Sequence, residues 1–171
     1  SRRASAACLI AALVLWCSAA VAAKPASSGA SAPASTASAP SGDWPFVGHD
    51  TQGTRFSPLD QINAGNVGSL KLAFSFPTGI NKGHEAAPLV IGDTMYVVTP
   101  YPNTVYALDL RQSKATVKWK FDPKPSASAQ GIACCDTVNR GVAYADGRVF
   151  MNTLDGQTIA VDAASGQELW R

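Results

Sequence analysis

The chain has 171 residues, 46% of them hydrophobic and 15% charged, with a formal net charge of +2. Arg2 and Arg3 account for that whole excess, so everything downstream is electrically balanced. No basic stripe appears, which argues against nucleic acid or an anionic membrane surface as a partner.

The chain begins like an export signal. Arg2 and Arg3 precede an apolar run from Ala6 to Val21, and Ala20-Val21-Ala22 supplies the small residues that signal peptidase needs. We therefore expect a cleavable signal peptide over 1–22, cut after Ala22. The run is shorter than the ~20 residues that cross a bilayer as a helix, so no stable membrane span is expected after processing. The alternative is an uncleaved N-terminal anchor. Ser1 is not an initiator methionine, so at least one residue is expected upstream.

Residues 23–42 follow as a linker. From Lys24 to Gly42 the sequence is almost wholly Ala, Ser and Pro, with nothing large to bury. That leaves 43–171 to build a core. Of the four cysteines, Cys8 and Cys17 fall in the signal. Cys134 and Cys135 remain, adjacent to each other, in a compartment where disulfides form.

From Asp43 onward the pattern is one of short strands and turns. Leu70, Leu72, Phe74 and Phe76 alternate with Lys71, Ala73 and Ser75, which predicts a half-buried strand. Further short apolar runs predict strands at 88–91, 94–98, 104–108, 142–145, 148–151 and 158–161. Gly92-Asp93, Asp146-Gly147 and Asp155-Gly156 punctuate them, the last two as Asp-Gly hairpin signals. The predicted fold class is all-β.

A repeat gives the architecture. An offset of 53 residues lays Asp93 on Asp146, Ala107 on Ala160 and Asp109 on Asp162. Each unit then turns and ends in a tryptophan, Trp119 and Trp170, the first after two extra turn residues. Several strands in a period of about 50 residues describe a blade of a β-propeller. A tryptophan closing each blade would fill the space between sheets and offer its indole N–H to the next one; the alternative is an ordinary core aromatic. Two blades cannot close a ring, so the segment is expected to be incomplete.

The ending from Ala160 to Trp170, A-x-D-x-x-S-G-x-x-x-W, resembles the tryptophan-docking motif of eight-bladed quinoprotein dehydrogenases. Three further segments resemble the methanol dehydrogenases among them: Gly83 to Val90, Pro102 to Asp109, and Cys134-Cys135-Asp136-Thr137-Val138-Asn139-Arg140-Gly141. The wording is nearer the methanol and lanthanide-dependent methanol enzymes than the ethanol type. The resemblance covers about Trp44 to Arg171. It implies an enzyme that holds pyrroloquinoline quinone (PQQ) with a calcium or lanthanide ion, oxidises a small primary alcohol to an aldehyde, and passes electrons to a periplasmic cytochrome c. It implies a periplasmic location and leaves homo-oligomerisation open.

The residues alone leave three states for Cys134 and Cys135: two free thiols, half a metal site, or a bridge. Neighbouring Cα atoms are ~3.8 Å apart, below the usual disulfide range, so a bridge would be a strained ring. It would close almost no loop and so stabilise little. The spacing also lacks the C-x-x-C pattern of zinc sites. In the family this pair is a vicinal disulfide lying flat on the quinone, and the resemblance carries that role to Cys134 and Cys135.

Arg140 matches the arginine that grips the cofactor's carboxylates, a task suited to a guanidinium fork; the alternative is an ion pair between blades, with Asp136 as a partner. Glu85 matches a glutamate that hydrogen-bonds the cofactor, against the alternative of a solvated loop carboxylate. His84 is expected to make structural hydrogen bonds, and His49 carries no signal. Asp93, Asp109, Asp146 and Asp162 recur with the repeat and read as turn and strand-end residues. The family's metal ligands, aspartate base and second quinone-facing tryptophan belong to later blades, so no catalytic or metal residue is assigned in 1–171. Two readings compete: a non-catalytic propeller scaffold of the outer-membrane assembly type, and a truncated, inactive reading frame.

Overall fold

The structure is a computed structural model that describes residues 42–134 and 136–171. The expected signal peptide and nearly all of the linker lie outside the described residues, as does Cys135. Eight strands form two antiparallel sheets of four, each in simple sequence order. The first holds β1 (Leu89–Ile91), β2 (Thr94–Val98), β3 (Val105–Asp109) and β4 (Thr116–Phe121). The second holds β5 (Ala143–Ala145), β6 (Arg148–Asn152), β7 (Thr158–Asp162) and β8 (Glu168–Trp170). This is the up-and-down arrangement of a propeller blade, twice. Two short 3-10 turns, Val67–Ser69 and Ala127–Gly131, complete the regular structure among the described residues.

The turns obey their residues. Asp146-Gly147 joins β5 to β6 with φ of +48° and +72°, the double left-handed geometry of a type I′ hairpin. Gly92, at φ +54°, takes the first central position between β1 and β2, where a type II′ turn calls for glycine. Asp155-Gly156 differs from its expected hairpin role. It lies inside a five-residue connection, Thr153 to Gln157, where Gly156 alone is left-handed.

Both sheets carry one defect at the same place. Ala107 pairs with Trp119 and Leu108 with Val117, so Lys118 is extra. Ala160 pairs with Trp170 and Val161 with Glu168, so Leu169 is extra. A bulge lets one strand carry a residue its neighbour does not match, and it re-aims the adjacent side chain. Each tryptophan thus stands opposite an alanine, beside a bulge.

Trp119 lies between the sheets, 8% exposed. Its Nε1 donates at 2.9 Å to the carbonyl of Ala163, in the turn between β7 and β8, and Tyr96 Oη donates to the same carbonyl at 3.2 Å. The indole lies against Gly166. A Cβ built on that glycine would sit 2.6 Å from Trp119 Cδ2, too close for any side chain. Leu89, Val98 and Val105 of the first sheet join Val149, Ile159 and Val161 of the second in one buried cluster around this contact.

Two expectations need correction. Trp170 holds the position equivalent to Trp119 but is 49% exposed, not buried. Its ring lies 6.1 Å from that of Phe150 in the same sheet, and no third sheet covers it among the described residues. The strand expected over 70–76 does not form either. The segment runs without a ladder and Leu72 is 82% exposed. Alternation survives only in Phe74 and Phe76, which are half-buried, the latter edge-on to Tyr106 at 5.0 Å. A strand requires a neighbouring edge to bond, and none of the eight strands offers one here.

Candidate functional site

In an antiparallel sheet of four, the chain entering the first strand, the connection from second to third, and the chain leaving the fourth share one end. At that end lie Glu85 (just before β1), the 99–104 turn, and the long linker of 122–142 that carries Cys134 and Arg140. The second sheet presents its 153–157 connection beside them. Backbone and side-chain bonds lock these pieces together. Tyr101 N–H donates to Thr137 O at 2.8 Å, and Leu154 N–H donates to Oδ1 of the fully buried Asn103 at 2.9 Å.

The segment 83–87 runs alongside 136–141. A Cβ on Gly83 would meet Val138 Cγ1 at 3.8 Å and Asp136 Oδ2 at 3.9 Å. A Cβ on Gly141, at φ +130°, would lie 3.6 Å from Ala87 O. This alignment places Glu85 opposite Arg140, and Glu85 Oε2 forms an ion pair with Arg140 Nη1. The pair is open to solvent, with side chains 45% and 77% exposed, so it contributes little to stability. Arg140 keeps most of its five N–H donors for another acceptor. The partner named from sequence as the alternative, Asp136, instead accepts Thr137 N–H at 2.7 Å on its Oδ1.

Cys134 is exposed and forms an isolated β-bridge with Asp136, whose φ is +69°. An aspartate tolerates that left-handed backbone better than most residues. The disulfide expected between Cys134 and Cys135 falls outside the described residues, because Cys135 does. Downstream, Asn139 Nδ2 donates to Asn152 O at 3.0 Å, and its Oδ1 accepts Gly141 N–H at 3.0 Å. Arg140 is thereby held from both flanks.

His84 has the structural role expected of it: its Nε2 meets Thr78 Oγ1 at 3.0 Å and its Nδ1 meets Lys82 O at 2.8 Å. The four recurring aspartates lie at the opposite end of the sheets. Arg111 grips Asp109 through Nε at 2.9 Å and Nη2 at 2.6 Å, holding its carboxyl well below the usual range. Asp162 Oδ1 accepts the Ser165 hydroxyl, the strongest influence lowering its pKa, and the N–H groups of Ser165 and Ala164. They are turn ties, remote from Glu85 and Arg140.

One residue read only as turn punctuation does more. Asp155 Oδ1 accepts the Thr153 hydroxyl, and its Oδ2 accepts Ser126 N–H and Gln157 Nε2, each at 2.8 Å. These bonds, the Thr153 hydroxyl foremost, hold its carboxyl down to about 2. The Asp-Gly dipeptide signals a turn; nothing in it signals a partner 29 residues back.

Among the described residues no group of three or more His, Cys, Asp or Glu could hold a metal. No helix among them is long and apolar enough to cross a membrane. What the geometry supplies is a carboxylate, a guanidinium with free donors and an exposed cysteine, gathered at one end of two sheets.

Comparison with known proteins gives the family. The PQQ family described as the glucose/ethanol/alcohol dehydrogenase β-propeller domain matches residues 44–170. The chain is 54% identical over 130 residues to the lanthanide-dependent methanol dehydrogenase of Methylacidiphilum fumariolicum (strain SolV), covering 76% of this chain and 21% of that protein. It is 52% identical to the enzyme of the same name from Methylorubrum extorquens, covering 71% of this chain and 20% of that one. The fold superposes on a europium-containing methanol dehydrogenase with a TM-score of 0.74 at 53% identity, over 77% of this chain and 23% of the other. The chain thus spans about a fifth of the length of these relatives. It belongs to the PQQ β-propeller family of glucose, ethanol and alcohol dehydrogenases.

Proposed function

We propose that this chain is the N-terminal part of an exported quinoprotein alcohol dehydrogenase, with residues 1–22 as signal peptide, 23–42 as linker and 43–171 as the first two blades of an eight-bladed propeller. The complete protein oxidises a small primary alcohol to an aldehyde in the periplasm and passes electrons to a cytochrome c. The observation that carries the reading is the meeting of Glu85 and Arg140 at the sheet end that also bears Cys134. A non-catalytic scaffold would need the docking tryptophans but has no use for an exposed arginine and cysteine pair there.

The donor set suits the cofactor. PQQ carries three carboxylates, and Arg140 offers an exposed guanidinium with donors to spare. Glu85 would hydrogen-bond the same cofactor, and a Cys134–Cys135 bridge would cover one of its faces. When bound, the quinone supplies the two-electron acceptor and its metal the Lewis acid. The metal's ligands and the proton-accepting carboxylate lie in later blades. We take that metal to be a lanthanide. Two relatives named for lanthanide dependence are 54% and 52% identical to this chain.

The test is reduction and alkylation of the complete holoenzyme, followed by peptide mass, activity and circular dichroism. Both cysteines should resist labelling until reductant is added, and activity should then fall before the β signal does. Labelling without reductant would exclude the bridge, and full activity after capping would end its role. Export is checked by intact mass: the secreted protein should begin at Ala23, and a soluble species that keeps 1–22 would contradict the assigned cleavage.

A further inference from the structure

We propose that Asp155 is the positioning residue for the loop that presents Cys134 and Cys135, tying that loop to the second blade across an open groove. The inference rests on the reading of this loop as a cofactor cover. Between Phe121 and Ala143 the chain forms no strand of either sheet, so its position depends on isolated ties. Near its start the loop and the 153–157 connection face each other across a groove lined by Ser128, Ala129, Ile132 and Ala133 on one side and Leu154 and Gly156 on the other. Ile132 projects into solvent. Ile132 therefore packs against neither side, and the Ser126 N–H to Asp155 Oδ2 bond at 2.8 Å spans the groove.

That bond belongs to a closed circuit. Gln157 links Asp155 to Arg171, donating to the first and accepting Arg171 Nη1 at 2.9 Å. Arg171 Nη1 also donates to Pro123 O at 3.2 Å, and Glu168 braces Arg171 from the same strand end. Pro123 and Pro125 are buried. The loop thus leaves the first blade through two fixed prolines and is caught at Ser126 by a carboxylate that the second blade holds in place. Cys134 lies only eight positions further along the chain. A carboxylate acceptor is suited to the task because bonds to charged groups are the strong ones.

The circuit can be broken from either side. Asp155→Ala removes the acceptor. Ser126→Pro removes the N–H donor and leaves the acceptor in place, because Ser126 sits at φ −58°, which proline adopts without strain. Ser126→Ala controls for the lost hydroxyl bond to Ser128. In the complete protein, both breaking variants should raise the dissociation constant for added PQQ about tenfold, the effect of one charged hydrogen bond. The double variant should be no worse than either single one, since both cut the same tie. Asp155→Asn keeps an acceptor oxygen and should lie within about threefold of the parent. Amide exchange over 127–133 should quicken in both breaking variants, with or without quinone, while the melting temperature holds. Unchanged exchange and affinity in Ser126→Pro would overturn the proposal, even if Asp155→Ala fails to fold. Additive losses in the double variant would overturn it too. If the parent protein binds no PQQ, the quinone reading fails, and the exchange result still decides whether Asp155 holds the loop.

Discussion

Trp119→Ala is expected to lower the stability of the propeller by about 3–5 kcal/mol, the range for deleting a buried large aromatic. The indole is 8% exposed and touches both sheets. Its removal leaves a cavity and strips the Ala163 carbonyl of its 2.9 Å donor. Gly166→Ala should be severe for a related reason. The added Cβ would lie 2.6–2.8 Å from three ring atoms of Trp119, and a fused ring cannot fold away as a lysine tip could. Overpacking costs about 1–3 kcal/mol, and alanine at φ +73° adds about 1 kcal/mol more. The diagnostic result is their combination. With Trp119 already removed, the Gly166 methyl has room, and only the backbone term remains. The double variant should therefore be more stable than the sum of the singles by about 1–3 kcal/mol. Urea midpoints of the complete protein and its three variants measure this. Strict additivity would mean that the indole and the glycine do not face each other, and that the blade contact has been misread.

That contact shows what was legible in the sequence. The offset of 53 residues aligned Ala107 with Ala160, and both alanines stand opposite the tryptophans. Hydrophobic runs and turn residues located the strands because each reports a local preference. The bulges at Lys118 and Leu169 were not legible, since an extra residue in one strand is defined only by its partner. The false strand at 70–76 fails for the same cause. Alternation records which side chains could be buried, not whether an edge is present to bond the backbone. The site divides likewise. Cys134, Arg140 and Glu85 stood out as residues, but the pairing of Arg140 with Glu85 rather than Asp136 needed the two segments side by side. Asp155 was hidden further. Its Asp-Gly neighbour explained it as a turn, and a residue with one sufficient explanation invites no second.

Arg140→Ala should weaken PQQ binding to the complete protein about a hundredfold, near 2.7 kcal/mol, and leave the fold almost untouched. The asymmetry follows from exposure. A guanidinium 77% exposed and paired with a carboxylate 45% exposed is well solvated, so losing the pair costs the apoprotein little. Facing a carboxylate of a bound cofactor, the same group loses water on one side and makes charge-assisted bonds worth more. Arg140→Lys keeps the charge and loses the fork, so it should fall between parent and alanine. Removing Arg140 alone cannot separate a cofactor ligand from a mere tie between segments 83–87 and 136–141. The charge-swapped double variant, Glu85→Arg with Arg140→Glu, can. It restores an ion pair across the same two segments, so a structural role would be rescued. A role in holding the cofactor would not be, because a carboxylate would now stand where the guanidinium met the carboxylates of PQQ. We expect the swapped protein to melt like the parent and to bind PQQ no better than Arg140→Ala. Recovery of quinone affinity in the swap would reduce Arg140 to a brace between two loops and remove the central support for the quinone site.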